Sequence, residues 1–256
     1  MIANYHTHTW RCHHADGSER AYVEQAIAAG IRILGFSDHT PCVFPGGYLS
    51  YFRMLPNQAE DYFRTISDLK REYAGQIDIH IGVEAEFYPA CFDGLVELLK
   101  QHPCEYLILG QHFTYNECDG VYSGKRTAEE SVLIQYVDQA LEGLRTGLFT
   151  YLAHPDLLYW QGDPAAYERE MTRLCRGAEE LDIPLEINLL GIMDNRQYPC
   201  DAFWRIAGQV GNRVILGCDA HEPWALNRPD IEQRGRELAE RWGITLLDTV
   251  ELRPIF

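Results

Sequence analysis

The chain is short of basic side chains, of long apolar runs and of paired cysteines. Twenty-two lysines and arginines stand against 38 aspartates and glutamates, a net charge of −16 over 256 residues. That balance excludes nucleic acid and an anionic membrane surface as expected partners. No apolar stretch approaches the roughly 20 residues of a membrane span, and no segment resembles a signal peptide. The eight cysteines are scattered without a C-x-x-C pair, which reads as small apolar residues in a reducing cytoplasm rather than as a disulfide framework. Cys12 and Cys218 lie near candidate ligands in sequence, with packing the expected role of both. No low-complexity segment, repeat or Pro/Ser-rich linker interrupts the chain, so residues 1–256 are expected to form one domain.

What the sequence does hold is an alternation of short apolar runs with longer helix-period segments. Strands are predicted over Ile2–His8, Ile33–Ser37, Ile77–Glu84, Tyr106–Gly110, Phe149–Ala153, Pro184–Asn188 and Val214–Gly217. Helices are predicted over Ser18–Ala29, Gln58–Tyr73, Cys91–Gln101, Ala128–Thr146, Ala165–Leu181, Pro199–Val210 and Ile231–Trp242. Ser18 is a candidate N-cap; Gly30, Gly75 and Gly147 are candidate stops. Seven β-α units in one domain point to a parallel (β/α) barrel, with an open doubly wound sheet as the alternative.

Four of the ten histidines fall between Asn4 and Gly17. On a strand His6 and His8 face one side, and two imidazoles on one face resemble half of a metal site. The later polar residues follow the strands. Asp38 and His39 come after the second, Glu84 and Glu86 end the third, and His112 the fourth. His154 and Asp156 end the fifth, Glu186 and Asn188 the sixth, and Asp219 and His221 the seventh. The C-terminal ends of parallel strands converge on one rim, where barrel active sites are built, and His with carboxylate is the ligand set for Zn²⁺, Mn²⁺ or Fe²⁺. His80 and His102 break the pattern and read as structural or surface residues; spacing alone does not choose between His13 and His14.

These segments together resemble the PHP (polymerase and histidinol phosphatase) superfamily. His6-x-His8-Thr9, Ser37-Asp38-His39, Gly82-x-Glu84, Gly110-x-His112, Ala153-His154-Pro155 and Asp219-x-His221 match its motifs in order. The Cys12-x-His14-Ala15 continuation is most similar to the stand-alone histidinol-phosphatase branch. The resemblance implies a distorted (β/α)₇ TIM-like barrel of PHP type holding two or three divalent transition metal ions, Zn, Mn or Fe. It implies that His6, His8, Glu84 and Asp219 surround one ion, with Glu84 bridging to a second that His112 and His154 complete. His14, His39 and His221 would form a third site, which selects His14 over His13. Asp38, Asp156 and Glu86 are expected to orient ligand imidazoles through their other ring nitrogen. The chain departs from the branch in two places. No basic residue follows His154, and Gln111-His112-Phe113-Thr114 replaces a small-residue version of the fourth motif.

The expected activity is a cytoplasmic phosphomonoesterase of histidine biosynthesis acting on a small-molecule phosphate ester, with L-histidinol phosphate the specific expectation. Two or three ions supply roughly +4 to +6 locally, which reconciles an anionic substrate with an acidic chain. The attacking group would be a metal-bound hydroxide held by Glu84, His112 and His154. Arg196 is the first candidate for holding the phosphate; Arg11 and Arg53 are weaker, as are Lys125-Arg126 and Arg228. The aromatic insert Cys42–Pro56 would serve as lid, pocket wall or packing. Alternatives are action on another small phosphate or a nucleotide, and a non-catalytic metal-binding domain. An amidohydrolase is disfavoured, because no lysine lies at a strand end.

Overall fold

The computed structural model describes residues 1–255. Eight parallel strands follow one another in sequence order: β1 Ala3–Asn4, β2 Ile33–His39, β3 Asp78–Ala85, β4 Tyr106–Leu109, β5 Phe149–Leu152, β6 Leu185–Asn188, β7 Arg213–Gly217 and β8 Thr245–Leu246. The helices are α1 Glu19–Ala28, α2 Ala59–Glu72, α3 Phe92–Leu99, α4 Glu130–Arg145, α5 Pro164–Glu180, α6 Leu189–Met193, α7 Asp201–Val210 and α8 Pro229–Arg241. All seven predicted helices are present, each end within two residues of its expected place. Ser18 caps α1 by accepting from the Ala21 amide. The short helix α6 and the strand β8 carry too few residues to show a period and were not expected from the sequence.

Strand faces explain the barrel. Leu34, Phe36, Ile79, Ile81, Val83, Leu107 and Leu109 pack outward against the helices in the main core. Ala3, Tyr5, Tyr106, Ile108, Tyr151, Ala153 and Ile215 fill the interior, where Leu247, Val250 and Leu252 of the C-terminal segment also pack. Both faces are therefore apolar, as a parallel sheet covered on both sides requires. The Tyr106 hydroxyl donates to the carbonyls of Tyr5 and Phe36 at 2.7 and 3.0 Å, tying β4 across the interior to the backbone of β2 and of the segment after β1.

Two expected strands differ in extent. β2 runs on to His39, so Asp38 and His39 belong to the strand rather than to the loop after it. The expected strand Ile2–His8 is regular only over Ala3–Asn4. Beyond it the chain still pairs on both sides. Ser37 N donates to Thr7 O at 2.8 Å, and Thr7 bridges Ala220 in parallel, with His8 N donating to Ala220 O at 2.9 Å. The Cys218 amide donates to Asn4 Oδ1 at 2.8 Å. The ring is thus closed at its upper rim, between the segments that follow β1 and β7. Lower down β7 pairs instead with β8. This is the distorted (β/α)₇ TIM-like barrel expected, with a short eighth strand added at the seam.

Candidate metal centre

The rim gathers residues from β2 and from the segments that follow β1, β4, β5 and β7 around one carboxylate, Glu84 of β3. The register of β2 on β3 sets His39 beside Glu84. Glu84 Oε1 lies 2.8 Å from His154 Nε2 and 3.6 Å from the Nε2 atoms of His6 and His112; Oε2 lies 2.9 Å from His39 Nδ1 and 3.6 Å from His8 Nε2. Asp219 Oδ1 stands 3.4 Å from His6 Nε2 and 3.0 Å from His8 Nε2. His14 and His221 approach each other at 2.9 Å between Nε2 atoms, and with His39 they form a further group able to share one ion. The residues named from sequence as ligands (His6, His8, His14, His39, Glu84, His112, His154, Asp219 and His221) thus meet in one cluster, seven of them lining a cavity of about 410 Å³.

Two neighbouring glycines make room for carboxylates. A Cβ on Gly110 would stand 2.6 Å from the carboxyl carbon of Glu84, and one on Gly217 would stand 2.9 Å from Cγ of Glu186. His154 and Asp219 hold positive φ values of 29° and 49°, costly for side-chain-bearing residues and concentrated at functional sites.

The chemistry of the donors fits divalent ions. His6 Nε2, His8 Nε2, His39 Nδ1 and Glu84 Oε2 are buried without a hydrogen-bond partner, a cost of a few kcal/mol each unless something else is bound there. Burial opposes the charged forms, yet neighbouring charges prevail on the carboxylates. Imidazoles hold Glu84 and Asp219 well below the usual carboxylate range, while burial and neighbouring imidazoles push His39 and His221 well below theirs. Ionised carboxylates and neutral imidazoles are the states that ligate metal. His6, His8 and His112 are exceptions: against burial, Glu186, Asp219 and Glu84 lift His6 to about 10, Asp219 and Asp38 lift His8 well above its ordinary value, and Glu84 and Glu86 raise His112.

Most of these imidazoles are oriented by a partner on their other nitrogen. His8 Nδ1 lies 3.4 Å from Asp38, and His112 Nδ1 lies 2.9 Å from Glu86. Backbone carbonyls of Cys12 and Asp219 serve His14 and His221 at 2.7 and 3.0 Å. The partner of His6 is Glu186, at 2.7 Å, whose second oxygen accepts the His154 amide at 3.0 Å. Asn188 Nδ2 donates to both Glu186 and Asp219 at 3.1 Å. The sequence places Glu186 and Asn188 at a strand end but shows no task for them; that position is the one signal it offers.

Three expectations are corrected. Asp156 orients no imidazole: the turn at His154 points it outward, where it accepts from Cys200 N at 2.6 Å and Trp204 Nε1 at 3.0 Å, and burial raises it to about 7. Arg11 does not reach the cavity. It is buried against Glu19 and Asp61. Arg53 is likewise buried, donating to Glu86 at 2.9 and 2.8 Å and to Glu117 at 2.9 Å, so it acts on His112 through Glu86 rather than on a ligand in the cavity. The cysteines are all free, as expected; Cys12, Cys104, Cys175 and Cys218 are buried, and Cys118 is exposed. Cys12 is near enough to His8 and His221 to share an ion with them, whereas Cys218 Sγ lies 3.8 Å from Met1 Sδ.

Arg196 does line the cavity, held by Asp194 at 2.8 Å and donating to the Tyr198 hydroxyl at 3.0 Å. The insert after β2 forms a wall: Tyr51 and Phe52 line the cavity, and the Phe52 ring meets His39 edge-on at 5.3 Å between centroids. His13 sits at the mouth with a φ of 67°. His80 and His102 lie elsewhere, near Asp78 and stacked on Phe63.

A parallel barrel whose strand ends deliver a shared set of imidazoles and carboxylates is the architecture of a metal-dependent barrel enzyme. The PHP domain pattern matches residues 4–189, and the chain belongs to that family. The histidinol-phosphatase of Bacillus subtilis (strain 168) is 33% identical over 250 residues, covering 85% of this chain and 92% of the relative. The histidinol-phosphatase of Lactococcus lactis subsp. lactis (strain IL1403) is 25% identical over 232 residues, covering 85% and 83%. A crystal structure of histidinol phosphate phosphatase from Lactococcus lactis subsp. lactis Il1403, complexed with zinc, L-histidinol and phosphate, superposes with a TM-score of 0.72 over 98% of each chain at 20% identity. That last likeness is one of fold. Asp219 and His221 lie beyond the matched family region, and the closure of the barrel brings them to it.

Proposed function

We propose that this chain is a metal-dependent phosphomonoesterase that hydrolyses L-histidinol phosphate to L-histidinol and phosphate, as a single phosphoesterase domain over residues 1–256. The observation that carries the reading is the set of buried, unpartnered donor atoms on His6, His8, His39 and Glu84, facing one another across the rim. The named activities of the relatives support the substrate, and with it a place in histidine biosynthesis in the cytoplasm.

His6, His8, Glu84 and Asp219 would hold one ion, and Glu84, His112 and His154 a second. His14, His39 and His221 would hold a third, with zinc, manganese or iron as occupants. Bound there, the ions supply positive charge that stabilises the phosphoryl oxygens and activates water for attack at phosphorus. Water adds to phosphorus, the ester P–O bond breaks, and the leaving oxygen takes up a proton to become the alcohol. Glu186, Asp38 and Glu86 keep the imidazoles aligned. Arg196, fixed by Asp194 and Tyr198, presents a guanidinium to the phosphate.

The test is metal analysis of purified protein followed by a panel of phosphate esters. More than one equivalent of transition metal and rapid phosphate release from L-histidinol phosphate are expected, with release abolished in His112→Ala and Asp219→Ala. Near-zero metal in protein never exposed to chelators refutes the cluster; histidinol phosphate ranking among the poor substrates refutes the substrate.

A further inference from the structure

The cavity has two chemically different halves. One is the ligand cluster, which contains both carboxylates of the lining, Glu84 and Asp219. The other half carries the rings of Tyr51, Phe52, Phe113, Tyr122 and Tyr198, and its one guanidinium belongs to Arg196; among the described residues it holds no carboxylate.

Four of these rings form a continuous wall. Centroids are 5.7 Å apart from Tyr51 to Phe52, 5.9 Å from Phe52 to Phe113 with planes 19° apart, and 5.3 Å from Phe113 to Tyr122. The wall begins at the cluster itself, since Phe52 lies 5.9 Å from His112 as well as against His39. Its outer end is open: Tyr51 is 75% and Tyr122 43% exposed. A phosphate held at the cluster would therefore project its organic part along ring faces.

We propose that this wall, rather than any charged contact, selects the organic half of the substrate. The substrate class is the monophosphate of an alcohol that ends in a flat unsaturated ring, with or without an amino group. The proposal rests on the phosphomonoesterase reading and deepens it. A ring stacks on Phe and Tyr faces whatever its charge. An ammonium finds there no carboxylate, only the faces of rings, which are worth a few-fold in affinity at exposed sites, and the neutral hydroxyls of Tyr51, Tyr122 and Tyr198, which replace water at little net gain. A site with a carboxylate for the ammonium would instead lose roughly ten- to hundredfold or more when the amine is removed.

The experiment compares three esters on zinc-loaded protein. They are L-histidinol phosphate, 3-(imidazol-4-yl)propyl phosphate, which keeps the ring and lacks the amine, and 2-aminopropyl phosphate, which keeps the amine and lacks the ring. The ring-only ester is expected within tenfold of the parent in kcat/KM, and the amine-only ester at least a hundredfold below it. Phe113→Leu should raise KM for the ring esters about tenfold with little change in kcat, and calorimetry should show the ring-only alcohol binding more tightly than the amine-only alcohol. An amine-only ester that outperforms the ring-only one overturns the proposal while leaving the phosphatase intact. No phosphate release from any of the three overturns both.

Discussion

Replacing Gly110 by alanine tests the geometry of the centre with the smallest change available. The new methyl would sit 2.6 Å from the Glu84 carboxyl carbon and 2.9 Å from its Cγ, where ordinary contact begins at 3.4 Å. The carboxylate must retreat by at least 0.8 Å (3.4 less 2.6 at the carboxyl carbon), and its Oε1, which lies closer still, by more, because the Gly110 backbone is pinned: its amide donates to Ala85 O at 3.1 Å, and its carbonyl accepts from His112 N at 3.0 Å. Glu84 has no slack, being shared among five imidazoles at 2.8 to 3.6 Å. A misplacement near 1 Å costs about a hundredfold in rate, and disturbing ligand geometry costs about 10- to 100-fold in metal affinity. Overpacking adds about 1–3 kcal/mol of destabilisation. The assay is kcat/KM together with metal content after dialysis against a graded chelator and a thermal midpoint. Gly94→Ala in α3 is the control, because no heavy atom lies within 4 Å of a Cβ there; it should change none of these except a small gain in stability. If Gly110→Ala keeps wild-type metal content and turns over within threefold, Glu84 is not the hub of the cluster.

Glu186→Gln should weaken metal retention about 10- to 100-fold by loosening His6, read by chelator competition, with the fold intact by circular dichroism. Arg53→Met leaves Glu86 and Glu117 buried without their cation and should cost about 3–5 kcal/mol in urea unfolding; adding Glu86→Gln should recover part of it. Glu105, away from the rim, provides a pH test. Burial would raise its pKa, but His80, Lys70 and the Ile81 amide bring it down from 4.5 to about 2. A depressed carboxylate stabilises the fold above its unfolded pKa, and that contribution is lost as pH falls from about 4.5 toward 2. Glu105→Gln should therefore be less stable than the parent by about 1 kcal/mol at pH 6, allowing for solvent screening, and in parallel urea titrations the gap should begin to narrow near pH 4.5 and close only as pH approaches 2.

The sequence displays the rim because apolar β-runs are short and each ends on a polar residue of ligand type. His39, Glu84, His112, His154 and Asp219 could be placed without coordinates. What stayed hidden depends on direction or on distant partners. Asp156 lies two residues after His154, but the backbone turn there sends it to Trp204, and proximity in sequence carries no such sign. Arg53 is a cation on an aromatic loop until Glu86 and Glu117 are seen to enclose it. Glu186 had no evident task because His6, which it holds, is 180 residues away. β8 offers two residues, and no periodicity can be read from two.

The seam at Thr7 and Ala220 ties the two ends of the ligand list together. His6 and His8 leave the ribosome first, but the Ala220 backbone that pairs beside them and the Asp219 oxygen that faces them arrive more than two hundred residues later. A growing chain can build its early β-α units in turn, and Asp38, Glu84 and Glu186 can reach the first imidazoles on the way, yet Asp219 and the Ala220 backbone are the last to arrive. An ion shared by His6, His8, Glu84 and Asp219, as proposed, would therefore be fully held only once the barrel shuts, which would make its loading a late event in the life of the polypeptide. Premature termination between β6 and β7 would yield a chain with most of the strands and helices and no complete centre.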